Sequence, residues 1–293
     1  MKKLILGLFV AFGLGACSLN TDDAPQDQCG TYTDVALIGF PLPCNYTVKN
    51  QTPNPSAIVI KTQEKMNIEF STHANTCNNA INPAIDFSKL NLIGIYSGQK
   101  STNGYGIKVT SIVENTCQVV VNFFEYGPQS GETINQIQTY PSDYVLIPAT
   151  TKPIFFNKTN ETPDKVIIGS FDGECTTTNC QKFIQLNDYN ILKYRDVVYG
   201  SYAFDQYMYT SVTKRGDYTR FLKEIVTNEI RSLEGQTKTF GAPDTGDKKG
   251  IYFELHREGK ITKIYIDNDD TADQTTEIKA FKKNIKDIIT AIQ

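Results

Sequence analysis

The chain has 293 residues, a formal net charge of −3 and a sequence pI near 5.5, without any run of five like charges. That balance excludes the basic footprint of a nucleic-acid binder or of a protein held to anionic lipid by charge. The length suits two domains of ordinary size or one large β-rich one.

Lys2 and Lys3 precede an apolar run over residues 4–12, which is followed by Leu14, Gly15, Ala16 and Cys17. Two positive charges, an apolar core too short to span a bilayer and small residues before a cysteine make a signal sequence with its cleavage site. Leu14 to Cys17 resembles the bacterial lipobox. The resemblance implies diacylglycerol on Cys17 through a thioether, removal of residues 1–16 and acylation of the new amino terminus. Acyl chains at Cys17 would meet the two-signal requirement for stable anchoring, and no later stretch reads as a transmembrane helix. Residues 17–35 are polar and interrupted by Pro25, so they read as a flexible tether. Asp22 and Asp23 within it resemble the acidic export signal of Bacteroidetes-type surface lipoproteins, which implies display on the outer face of the outer membrane; two acids also suit a plain polar tether, which leaves the periplasmic face of that membrane as the alternative.

With Cys17 set aside, Cys29, Cys44, Cys77, Cys117, Cys175 and Cys180 form an even set, which in an exported chain reads as disulfides. Six cysteines allow 15 pairings. The close spacing of Cys175 and Cys180 favours a local bridge, and sequence order then favours Cys29 with Cys44 and Cys77 with Cys117.

Residues 36–156 carry short runs rich in Val, Ile, Phe and Tyr at 57–61, 67–71, 92–96, 107–113, 117–125 and 144–147, with Gly, Pro, Asn and Ser between them. The pattern predicts an all-β sandwich or small barrel without helices. Inside it, Asp86 and Phe87 lead into a run that ends at Gly98. A turn from Ser101 to Tyr105 follows, and Tyr140, Pro141 and Pro148 bracket a late strand. These segments, over about residues 80–150, resemble the C-terminal domain of PrcB-like protease-complex stability proteins, with Asn103 where that family often has glycine. The resemblance implies a β module that binds or stabilises a partner protein and has no catalytic residue to transfer. Asn103 and Gly104 between two β runs also signal a two-residue hairpin turn. A sharper reading makes Lys100, Ser101, Thr102, Asn103, Gly104 and Tyr105 a partner-binding loop, in which Gly104 permits close approach and Tyr105 is a rigid anchor. That loop loosely resembles one loop of chagasin-type protease inhibitors.

Polar residues 157–165, with Pro163, predict a linker between this domain and an α+β domain over 166–293. Strands are predicted at 166–171, 182–186, 190–194, 250–256 and 260–267, the last two joined by a tight turn at 257–259. Apolar spacing predicts one amphipathic helix over 217–233, with Asp217 as its N-cap and Gly235 as its stop, and a second over 276–292. Both are expected to pack on antiparallel strands. Residues 240–250 faintly resemble a cysteine-bearing signature of Bacteroidetes lipoproteins, but Ala242 and Thr245 replace the cysteines, and a shaped turn explains the stretch.

The motifs of serine hydrolases, zinc proteases, P-loop proteins and dinucleotide binders are missing from the sequence. His73 and His256 read as exposed or hydrogen-bonded side chains rather than general bases. Residues 267–273 are rich in aspartate, but Ala272 and Ile278 stand where a calcium loop needs glycine and an acid. Asp172 and Glu174 are a carboxylate pair without further support. The chain therefore reads as a noncatalytic, lipid-anchored envelope protein with neither cofactor nor metal, its partner an envelope protein such as a protease. A hydrolase of unknown type and a structural envelope component are the alternatives.

Overall fold

Alternating apolar residues make strands the main regular element of this chain, and the computed structural model describes residues 29–77, 84–129, 132–174, 180–212, 218–243 and 249–292. Cys17, the tether up to residue 28, Cys175 and Asp217 lie outside the described residues. None of the described helices is long and apolar enough to cross a membrane.

The first half runs β1 (Thr33–Asp34), β2 (Ile38–Gly39), β3 (Tyr46–Val48), β4 (Ser56–Ile60), α1 (Gln63–Glu69), β5 (Phe70–Thr72), β6 (Leu90–Tyr96), β7 (Gly106–Glu114), β8 (Val119–Tyr126), β9 (Ser142–Pro148) and β10 (Ile154–Lys158). The second half runs β11 (Lys165–Asp172), β12 (Lys182–Leu186), β13 (Ile191–Tyr194), β14 (Tyr209–Val212), α2 (Tyr218–Ile225), α3 (Asn228–Ser232), β15 (Thr237–Phe240), β16 (Lys249–Arg257), β17 (Lys260–Asp267) and α4 (Thr276–Ile292). The fold is a sheet-rich α+β one.

One sheet of eleven strands, in the order β15-β17-β16-β11-β12-β13-β14-β2-β9-β6-β4, passes through both halves, and a four-stranded sheet has the order β1-β7-β8-β10. Apolar packing is more local than the sheet. Ile93 and Ile95 of β6 and Val145 and Ile147 of β9 meet Ile107, Val109 and Ile112 of β7 and Val119 and Val121 of β8, so two layers of sheet face each other in the first half. In the second half, Val166, Ile168 and Phe253 pack under Phe221, Ile230, Phe281 and Ile285 of the helices. The opposite face of those strands carries Ile167, Phe183 and Tyr252 in an aromatic cluster.

The expected strand at 67–71 is instead mostly helix. Thr62 Oγ1 accepts the Lys65 N–H at 3.2 Å as an N-cap, Gln63 bonds Asn67 four residues on, Lys65 pairs with Glu69 at the same spacing, and only Phe70 and Ser71 enter β5. The helix predicted over 217–233 is broken: Thr227 turns extended and caps α3, although Phe221, Ile225, Val226 and Ile230 are buried as the apolar spacing requires. Helix α4 occupies the predicted 276–292, and Glu258 and Gly259, both at positive φ, make the tight turn between β16 and β17. Thr33 and Asp34 of the predicted tether pair with Glu114 and Val113. Asn157 and Lys158 of the predicted linker belong to β10.

The disulfides depart from sequence order. Cys29 bonds Cys117 and Cys44 bonds Cys77. Strand pairing decides this: β1 along β7 delivers Cys29 to Thr116, whose N–H and hydroxyl both bond the Cys29 carbonyl, and β3 along β5 delivers Cys44 to Thr76. Cys180 is also disulfide-bonded.

Strand β2 carries the sheet from one half to the other. Strand β2 pairs with β14 through Gly39 opposite Tyr209 and with β9 through Gly39 opposite Val145. The Ser211 N–H donates to the Leu37 carbonyl at 2.9 Å, and the Phe40 N–H to that of Tyr144 at 3.0 Å. A Cβ on Gly39 would lie 2.1 Å from the Tyr209 ring, so the ring covers the strand only because residue 39 has no side chain. Gly39→Ala is expected to cost about 1–3 kcal/mol through overpacking. In a Tyr209→Ala background the cost should shrink, as a double-mutant cycle of urea unfolding would show; strict additivity would mean that the ring is not the constraint.

Candidate functional site

The loop at 100–105 is fastened along its length to residues 132–139. Lys100 and Thr139 exchange backbone hydrogen bonds at 2.9 Å, Thr139 Oγ1 donates to the Thr102 carbonyl, Asn103 Nδ2 donates to the Thr133 carbonyl at 3.0 Å, and Asn103 Oδ1 accepts the Asn135 N–H at 2.6 Å. The expected hairpin turn at Asn103-Gly104 is therefore not formed. Only Gly104 has positive φ, and the flanking strands pair elsewhere, β6 with β4 and β9 and β7 with β8. Asn103 needs its side chain for the second loop, and Gly104 leans so closely on Pro128 and Glu132 that a Cβ would lie 2.8 Å from Glu132 Oε2.

What this pairing displays is apolar. Tyr105 is 40% exposed, and Ile134 and Ile137 of the second loop are 42% and 53% exposed. Lys100 Nζ sits 5.5 Å from the Tyr105 ring centroid, a cation–π contact that steadies the ring. Of the six predicted loop residues, Lys100 and Tyr105 contribute to this surface, while Thr102, Asn103 and Gly104 hold its shape. Sequence reasoning missed Ile134 and Ile137 because two isoleucines in a polar stretch carry no strand or helix period.

Other chemistry-bearing residues serve the fold. His73 is exposed, with Nδ1 2.8 Å from the Ala74 carbonyl. Asp172 and Glu174 each lie 3.9 Å from Lys249 Nζ. The acidic loop at 267–273 closes on a lysine: Lys282 Nζ, in a buried side chain, shares its three N–H donors among five oxygens within 3.1 Å, the carbonyls of Asp267, Asn268 and Asp269, Asp270 Oδ1 and Gln274 Oε1. Among the described residues, no group of three His, Cys, Asp or Glu side chains gathers as a metal site.

Among the described residues, Glu254 is the one buried carboxylate with a marked shift. Burial opposes its charge, yet hydrogen bonds with His256 and from Tyr252, with the charges of His256 and of Lys263 at 3.3 Å, outweigh burial and hold its pKa at about 2. The folded value lies below the ordinary 4.5, so this stabilisation is present above pH 4.5 and fades as pH falls toward 2. Glu254→Gln should therefore cost stability of order 3 kcal/mol at pH 7 and progressively less toward pH 2. Urea unfolding of both proteins across that range checks it, and a pH-independent difference would contradict it.

A family model described as PrcB C-terminal matches residues 92–148. No curated protein and no solved structure matches the chain. The matched span runs from β6 through β9 and includes both loops of the patch. Residues 92–148 thus form a PrcB C-terminal-like domain, inside the segment that the sequence motifs marked.

Proposed function

We propose that the protein is a lipid-anchored, noncatalytic accessory protein of the outer membrane that holds an envelope protein, a protease or a member of a protease complex, against the paired loops at 100–105 and 132–139. The observation that carries this reading is the exposure of Tyr105, Ile134 and Ile137 on loops fixed by their own hydrogen bonds, within the PrcB C-terminal-like domain. A preformed aromatic and aliphatic surface binds without the cost of ordering a mobile segment, and aromatic anchors of this kind dominate interface energy. The family match supports a protease-associated role in general terms. The signal sequence ending at Cys17 supports the anchor, and Asp22 and Asp23 support display at the outer membrane. Division of labour at residues 157–165 follows from the same reading: the first domain docks, and the α+β domain over 166–293 braces it.

A photocrosslinking residue at position 105 in intact cells is expected to trap a protease or its complex, while the same residue at position 261, exposed on β17, traps neither. With the crosslinker kept at position 105, the double variant Ile134→Ser, Ile137→Ser should weaken that capture at least about tenfold without lowering the melting temperature. Unchanged capture would sink the loop assignment. For the anchor, Cys17→Ser should abolish incorporation of a labelled fatty acid and move the protein out of the membrane fraction; persistence in that fraction would refute lipidation as the attachment.

A further inference from the structure

Where β7, β8 and β9 meet β11 to β14, a cleft of about 580 Å³ opens, within the size range of small-ligand sites. Its walls are tyrosine rings laid flat on glycines: a Cβ on Gly106 would lie 2.2 Å from the Tyr126 ring, as one on Gly39 would lie 2.1 Å from that of Tyr209. Hydroxyls of Tyr126, Tyr189 and Tyr209 line this space and make no hydrogen bond to other described residues. Burial raises all three phenol pKa values, so these groups are neutral donors.

One cation in the cleft is unspent. Lys165 opens β11, and the antiparallel register of Val166 with Leu186 sets it opposite Asn187. Among the described residues its ammonium has no carboxylate partner, and burial followed by repulsion from Lys108 pushes its pKa down. Lys108 is by contrast engaged, 2.9 Å from Asp143 Oδ1, whose other oxygen accepts the Val109 N–H. Asp205, exposed in the cleft lining, acts on both lysines through space without pairing with either.

Beside Lys165 stand an unused donor and an unused acceptor. Asn187, 0% exposed, accepts the Tyr189 and Asn190 N–H groups with Oδ1 and leaves Nδ2 without a partner. Asn190 donates Nδ2 to the Thr110 carbonyl at 2.8 Å and leaves Oδ1 without one. Buried polar atoms are nearly always satisfied, so two orphans of opposite sense lining one cleft call for a ligand with both functions. A peptide amide has both, since its carbonyl accepts and its N–H donates.

We infer that the cleft binds the carboxyl terminus of a peptide, with the terminal carboxylate on Lys165 and the tyrosine hydroxyls and the last amide between Asn187 and Asn190. The terminal side chain lies against the tyrosine rings, which suits an apolar residue. The site does not depend on what the paired loops hold: Tyr105 edges both surfaces, but none of the recognising groups belongs to the loops.

Calorimetric titration of the full chain tests this with acetyl-Ala-Ala-Phe as the free acid, the same peptide as its C-terminal amide, and glucuronate as a carboxylate without a peptide. The free acid should bind at least about tenfold tighter than the amide, as expected for one charge-assisted contact. Lys165→Met should bring the acid down to the level of the amide. Asp205→Asn, on an exposed turn, should tighten binding of the acid by removing a like charge, and keeps the test open should the lysine variant fold poorly. Equal binding of acid and amide, binding of neither up to about 10 mM, or Lys165-dependent binding of glucuronate but not of the peptide would each overturn the assignment.

Discussion

The missing Cβ of Gly39 is the constraint on which the arrangement of this protein depends. Strand β2 has two residues, yet it closes the gap between β14 and β9 and makes one sheet of two halves whose largest apolar clusters are distinct. Tyr209 lies over it with no room for a methyl group. The ladder does the work that a long linker cannot, because hydrogen bonds fix both distance and register. Two disulfides reinforce the ends of the first half, one holding the entry of the chain at the β7–β8 connection and the other closing residues 44–77 on themselves.

The two faces of the shared sheet divide the energetics. In the second half, one face is aliphatic and sits under the helices, where Ile278, Phe281, Ile285 and Ile289 bury the stripe of α4. The other face is aromatic and carries the charged groups: Glu254 stands opposite Ile167, Lys263 opposite Glu254, and Lys165 one position further along β11 on the face of Ile167. Charges on that face are either locked, as Glu254 is by three partners, or left open to the cleft, as Lys165 is. Lys282 of α4 shows the locked case against a loop, its ammonium occupying the centre of the oxygens that the aspartate-rich stretch supplies.

Much of this was legible in the residues. Helix α4 and the pair β16 and β17 have clean periods and a turn that only positive φ satisfies, and the motifs between Asp86 and Pro148 marked the domain that the family match covers. What stayed hidden depends on long-range pairing. A two-residue strand has no period, so β2 and with it the union of the halves could not be read. Cysteine pairing follows which strands lie side by side, not their order, and Asn103-Gly104 looks like a hairpin turn until its side chain is seen to serve a loop some thirty residues away. Helix α1 stayed hidden because the run at 67–71 reads as a strand, while the Thr62 cap and the bonds between side chains four residues apart emerge only in the fold. In the site, Tyr105 was legible as an exposed aromatic beside glycine, whereas Ile134 and Ile137 gain meaning only from the loop they face.

Native-state hydrogen exchange at β2 and β14 tests most directly the central claim that one continuous sheet makes the halves a single unit. The amides of Leu37 and Ser211, bonded across the junction to the Ser211 hydroxyl and the Leu37 carbonyl, should exchange only with the slowest class, at the free energy of global unfolding and with the same urea dependence as Ile147 and Ile168. Faster exchange at Leu37 and Ser211, with the strands on either side still protected, would mean that the halves part without unfolding and would contradict the claim.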